Sequence, residues 1–202
     1  MPVAARAKTR LQSKLRAAVK DAIIDAAEEV AVEAGLGGLT IAAVAERAGV
    51  AVGTLYNHFD DREEIVAAVF RARRAALRPM IDAAARATVH LGFEARLREF
   101  VRRLLLAFEQ HDRFIRLAVL ADRDGCKLAR DTTLMELMIR ALEEIMAAGA
   151  KQRLFPATRV AIYARMLHGA LRAMFVWRLT EGTSVCADGD LLVGSFLRGI
   201  TA

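Results

Sequence analysis

Apolar residues recur every three or four positions along almost all of this 202-residue chain, only three prolines interrupt it, and no stretch sustains the apolar–polar alternation of a strand. That periodicity restricts the chain to an all-α fold, and the glycines and prolines mark where its helices break. From Val19, the positions Val19, Ile23, Ala26, Ala27, Val30 and Ala34 share one helical face, and Gly35, Gly37 and Gly38 end that helix. Thr40 is placed to cap a second helix, whose inward positions Ile41, Val44, Ala45 and Ala48 are spaced i, i+3, i+4, i+7 before Gly49 stops it. A third helix, from about Ala51 to His58, aligns Leu55 with Phe59. Asp60 and Glu63 form a capping-box pattern for a fourth, which reaches about Pro79.

The remainder reads as a larger helical bundle. One helix carries Phe93, Leu97, Phe100, Val101, Leu104 and Phe108 on a single face, and a later one carries Leu134, Leu137, Met138, Ala141, Leu142 and Ile145. Pro156 stands as a first-turn proline for a segment to Thr180 that is apolar over much of its circumference. Val160, Tyr163, Leu167, Leu171 and Met174 lie on one side, and Gly169, Ala173, Val176 and Trp177 on another, so this helix needs two partners. A last short helix aligns Leu192, Phe196 and Ile200, and the pair is suited to a four-helix interface with a second copy.

Charge is distributed unevenly. The formal net charge is +6, and residues 1–20 hold Arg6, Lys8, Arg10, Lys14, Arg16 and Lys20 with no acidic residue, so the rest of the chain is formally neutral. A local basic arm of this kind suits a polyanion such as DNA; a solvated, disordered tail is the plainer reading. The expected organisation is a basic disordered arm over 1–16, a helix-turn-helix domain over 17–62 and a helical ligand-binding and dimerisation domain over 63–202. Cys126 and Cys186 follow no ligand spacing, and nothing at the N-terminus reads as the apolar stretch of a signal peptide, so a reducing cytoplasm is expected. Charged residues interrupt every apolar stretch well before a membrane span is reached. Neither a zinc-hydrolase motif, a di-iron Glu-x-x-His pair, a nucleophile elbow nor a phosphate-binding glycine loop is present, so no enzyme, metal or cofactor is expected.

Two short helices joined by Ala48, Gly49 and Val50 meet the requirements of a helix-turn-helix. The string T-I-A-A-V-A-E-R-A-G-V-A-V-G-T-L-Y-N-H-F from Thr40 to Phe59, followed by D-D-R-E-E-I, strongly resembles the TetR family of bacterial repressors, with the close likeness running from about Ala22 to Phe70. The resemblance implies a ligand-responsive repressor that binds double-stranded, pseudo-palindromic operator DNA as a homodimer and responds to a small-molecule effector. It makes Thr40, Thr54, Tyr56 and His58 candidates for phosphate contacts and brings Ala51, Val52, Gly53 and Asn57 towards base edges, with Leu55 and Phe59 structural. Three positions depart from the family pattern: Ala51 replaces a common serine, and Ala42 and Val52 stand where basic or polar residues are frequent. Arg47 is then the only Lys or Arg between Thr40 and Phe59, and Arg62 and the basic arm are left to supplement it.

The same resemblance implies an effector cavity, with Phe100, Leu104, Phe108, Phe114, Met138, Met166, Met174 and Trp177 as candidate lining and Gly169, Ala173, Val176, Phe196 and Ile200 at the dimer interface; helical spacing by itself predicts the bulkier of these to be core. His111, Arg113 and Arg116 around Phe114 read as a solvated connector or as the mouth of a pocket for an acidic ligand. A helical small-molecule-binding or partner-binding module without operator binding is the alternative class, separated from the first by affinity for duplex DNA.

Overall fold

A computed structural model describes residues 3–128, 133–181 and 186–200, and within them every regular element is helical. The helices are α1 (Val3–Gly38), α2 (Ile41–Ala48), α3 (Val52–Tyr56), α4 (Arg62–Ala87), α5 (Phe93–Gln110), α6 (Asp112–Arg123), α7 (Thr133–Lys151), α8 (Val160–Glu181) and α9 (Cys186–Ile200), with a 3-10 turn at Ala157–Arg159. Among the described residues, no helix is long and apolar enough to cross a membrane.

Two compact units emerge: Met1–Arg73 with Arg113–Ala129, and Arg74–Asp112 with Arg130–Ala202. The boundary expected near residue 62 lies within unbroken chain, because α4 continues to Ala87. It passes through Pro79, whose ring removes only one ladder hydrogen bond from a helix held by the buried Leu77, Ile81 and Ala84. Arg113–Ala129, expected in the second domain, belongs to the first unit. Phe114 meets Phe70 edge-on at 5.6 Å between ring centroids, and Arg113 Nη1 donates to Glu29 Oε1 at 2.9 Å.

In the first unit, Ile23, Ala27 and Val30 of α1 are buried as their spacing predicts. The basic segment expected as a disordered arm over 1–16 is instead helical from Val3 and continuous with α1, since Ala4, Ala5, Ala7, Leu11 and Leu15 are strong helix formers and no glycine separates them from Val19. The glycine break falls at Gly35, where φ is +70°, a sign that residues with a Cβ adopt only at a cost. Beyond the break, one more helical turn reaches Gly38. Glu28, buried on α1, pairs with Arg73 of α4 at 2.8 Å, and Arg73 also bonds Asp25.

The second unit is built on α5, α7, α8 and α9. α7 packs along α8, and α5 packs on both α7 and α9. Phe93, Leu97, Phe100, Val101, Leu104 and Phe108 are buried as one face of α5. Phe155 bridges Phe93 and Tyr163 with ring centroids at 5.7 and 5.1 Å, and a Cβ on Gly149 would come within 2.9 Å of the Phe93 ring, so a glycine is needed there. Pro156, expected in the first turn of α8, precedes that helix and caps the 3-10 turn that leads into it.

Candidate nucleic-acid interface

The local backbone of α2 and α3 follows from three residues. Thr40 is extended (φ −109°, ψ 155°) and its Oγ1 accepts the Ala43 N–H at 3.2 Å, so the hydroxyl hydrogen remains available to an acceptor outside the protein. Gly49 adopts φ +67°, which lets Val50 N–H turn back to Ala45 O at 3.0 Å and closes α2 in a Schellman-type end. Leu55 and Phe59 are buried and pin the five-residue α3 against the unit's core. Burying that one face turns the other outward: Ala51, Val52, Gly53, Tyr56 and Asn57 are exposed, and Thr54 and His58 are half-buried. Tyr56 keeps 56% of its surface, a large value for an aromatic side chain with no structural task. Ala51 caps α3 without any side-chain hydrogen bond, in keeping with its lack of an acceptor.

The capping pattern of α4 is displaced by one residue from the expected Asp60/Glu63 pair. Asp61 Oδ1 accepts the Glu64 N–H and Glu64 Oε2 accepts the Asp60 N–H, both at 2.7 Å. Because α4 starts at Arg62, Asp61 takes the cap position and Glu63 is left to pair with Arg62.

Arg47 and Arg62 both pair with other groups of the chain. Arg47 Nη2 lies 2.6 Å from Glu33 Oε2 and its Nη1 3.3 Å from Glu29 Oε2. The hydrogen bond from Arg47 holds the Glu33 carboxyl below its ordinary range while raising the guanidinium's own pKa. Glu29 also receives Arg113, so α1, α2 and α6 share one ionic cluster. Arg62 Nε donates to Leu39 O at 2.7 Å, Nη2 donates to Leu36 O, and Nη1 meets Glu63 at 3.0 Å. It thereby ties together carbonyls in and just past the last turn of α1, where Leu36 O also accepts the Leu39 N–H at 3.3 Å. Both guanidiniums therefore already have carboxylate or carbonyl partners within the chain.

The cations beside α3 come from α1. Arg16 Nη2 donates to the carbonyl of Asn57 at 3.1 Å, and Lys20 Nζ stands 5.3 Å from the centre of the Phe59 ring. Partial burial, together with the positive charges of Arg16 and Lys20, holds His58 below the ordinary histidine value of 6.5. Sequence reasoning named the basic segment but did not place these two residues next to the reading helix. The signal available for that was the absence of acid before Asp21.

The remaining candidates fall into separate places. Phe100, Leu104, Phe108 and Met174 are buried in the second unit, where Phe108 and Phe175 lie 5.1 Å apart, and Met138 is half-buried on α7. Phe114 belongs to the first unit, where it meets Phe70. Met166 and Trp177 are each 55% exposed, because α8 buries Leu167, Leu171 and Met174 on its opposite face. Gly169 and Ala173 are exposed on the same side as Met166, Val176 and Phe196 are half-buried, and Ile200 is buried within the unit.

Residues 23–69 match the family described as bacterial regulatory proteins, tetR family. A comparison with curated protein sequences finds no match. Among solved structures, the chain is similar to the transcriptional regulator FadR from Bacillus subtilis in complex with stearoyl-CoA (TM-score 0.74, 17% identity, 89% of this chain and 98% of that one). It is also similar to a TetR-like transcriptional regulator from Rhodococcus (TM-score 0.71, 21% identity, 90% and 94%) and to SmeT, the repressor of the Stenotrophomonas maltophilia multidrug efflux pump SmeDEF (TM-score 0.70, 19% identity, 91% and 90%). These likenesses establish a shared fold over nearly the full length of each chain. Residues 23–69, which span the helix-turn-helix that turns one face of α3 outward, thus carry the sequence pattern of the tetR family of bacterial regulatory proteins, and the chain as a whole shares its fold with solved TetR-like regulators.

Proposed function

We propose that the protein is a ligand-responsive repressor that binds a pseudo-palindromic operator as a homodimer and acts in the bacterial cytoplasm without catalysing a reaction. The observation that carries this reading is the outward face of α3: a tyrosine, an asparagine and small residues held open to solvent by the buried Leu55 and Phe59. Thr40, Thr54, Tyr56 and His58 would contact phosphates, and Ala51, Val52, Gly53 and Asn57 would approach base edges. Arg47 and Arg62 take supporting parts, holding α2 and the end of α1 in place.

Dimerisation is supported by α8, where Ile162, Met166, Gly169, Ala173 and Trp177 form an exposed stripe at i, i+4, i+7, i+11 and i+15. Small residues at its centre allow close approach of a second helix, and the apolar residues on either side supply burial. The effector would occupy the apolar interior of the second unit, around Phe100, Leu104, Phe108, Met138 and Met174. A similar fold has been solved with stearoyl-CoA bound, which makes acyl-CoA the first chemistry to test. The effector need only favour the DNA-incompetent state by about 1–3 kcal/mol to loosen binding roughly 5- to 150-fold.

The decisive test is a mobility shift on DNA from upstream of the protein's own gene, with excess nonspecific competitor and with or without stearoyl-CoA. Specific retention that the effector releases is the expected result. The effector should also raise the melting temperature of the free protein by about 5–10 °C at roughly a hundred times its dissociation constant. Absence of affinity for duplex DNA at low salt defeats the operator reading. Retention unaltered by stearoyl-CoA and a broader apolar panel removes the effector part.

Protonation of His58 gives a separate prediction. Arg16 and Lys20 oppose its positive charge in the free protein, whereas an approaching phosphate favours it, so complex formation takes up a proton. Affinity is expected to rise as pH falls between about 7.5 and 5.5, and His58→Gln should flatten that rise in a fluorescence anisotropy titration. The free protein changes in the opposite sense: the unfolded chain binds the proton more readily, so stability declines as pH drops below the unfolded histidine value.

A further inference from the structure

The outward face of α3 carries no Lys or Arg, and the arginines of α2 and of the start of α4, Arg47 and Arg62, are held by Glu29, Glu33, Glu63 and the carbonyls of Leu36 and Leu39. A duplex presents one negative charge per roughly 1.7 Å of its axis, and affinity for it rests largely on cations that displace its counterions. The nearest source of such charge is α1. At 3.6 residues per turn, Arg10, Lys14, Arg16 and Lys20 fall within an arc of about 160° of that helix, and the row from Arg10 to Lys20 is about 15 Å long. The hydrogen bond from Arg16 to Asn57 O ties this face to the C-terminal end of α3, and Lys20 over Phe59 holds it one turn further along. Arg10, Lys14 and Arg16 are exposed, and the segment contains no acid before Asp21 to neutralise them.

We propose that this basic face of α1 is a second DNA-contacting element, a rigid helix whose Arg10, Lys14, Arg16 and Lys20 bind backbone phosphates flanking the bases that α3 reads. The inference rests on the DNA-binding reading above and adds to it the source of the electrostatic affinity. A continuous helix places these charges at set distances from α3, which a flexible tail does not, so the contacts form with little ordering cost. They are phosphate contacts and carry no sequence information. Leu11 and Leu15, 69% and 65% exposed, lie outside the basic arc, and an amphipathic helix of that kind also has the make-up of a segment that lies on an anionic membrane surface. Its tie to the reading helix favours DNA.

The full-length Arg10→Ala/Lys14→Ala double variant tests the proposal, since both side chains are exposed and their loss leaves the core intact. Its affinity for a random-sequence duplex and for the upstream DNA is to be measured across a salt series beside wild type. The expected result is a log–log salt slope shallower by about 1.8 per bound protomer on both duplexes, with the ratio of the two affinities preserved. Flanking phosphates should also lose protection in a hydroxyl-radical footprint. An unchanged slope and footprint with wild-type DNA binding intact overturns the proposal and leaves the operator reading standing. Loss of binding to phosphatidylglycerol vesicles in the variant, with its DNA slope unaltered, assigns the face to membranes and also overturns it. A wild-type chain with no affinity for either duplex overturns both readings together.

Discussion

Phe59→Ala is expected to destabilise the first unit by about 3–5 kcal/mol and to abolish DNA binding at physiological temperature. Phe59 follows α3 directly, donates its N–H to Leu55 O at 2.9 Å and is 2% exposed. Removing the ring leaves a cavity beneath a helix of only five residues, which has too few hydrogen bonds of its own to persist without that support. Urea unfolding followed by circular dichroism reads the loss, and DNA affinity measured well below the unfolding midpoint reads the displacement of α3. Phe59→Leu should restore most of both, because a leucine refills much of the volume. An unaltered midpoint combined with lost affinity would place Phe59 at the DNA itself and defeat the structural assignment.

Tyr56→Ala is expected to do the reverse, leaving stability within about 0.5 kcal/mol of wild type while weakening specific binding tenfold or more per half-site. Tyr56 lies one residue beyond Leu55 but on the opposite face of α3, so its truncation opens no cavity and its hydroxyl is left free to meet a phosphate. Tyr56→Phe separates the ring from the hydroxyl: if the hydroxyl makes the contact, both variants bind equally weakly. Wild-type affinity in Tyr56→Ala would remove this residue from the interface. Taken together, Phe59 and Tyr56 distinguish the buried from the reading face of one short helix.

Much of this arrangement was legible from local pattern. The helical character, the cap at Thr40, the turn at Gly49 and the burial of Leu55 and Phe59 depend on residues no more than a few positions apart, and steric preference acts at that range. The fit of the family pattern across α1 to α4 rests on the same short-range features. Register at helix ends was less legible: the α4 cap moved from Asp60 to Asp61, since either aspartate can accept the capping hydrogen bond.

Long-range pairing was not legible. A count of charges assigns Arg47 and Arg62 to DNA, yet their partners lie 14 to 26 residues away on α1 and at its end. Periodicity showed that Phe114 and Met166 were apolar members of helices but not which unit or which face would receive them. Phe114 joined Phe70 in the first unit, while Met166 was left on the exposed side of α8. The amino-acid sequence by itself determined the all-helical character, the breaks at Gly35 and Gly49 and the chemistry of the outward face of α3, since these follow from torsional preference and spacing along the chain. Only the tertiary structure decided which cations face outward, because a guanidinium's availability depends on which carboxylates and carbonyls folding brings within hydrogen-bonding distance of it.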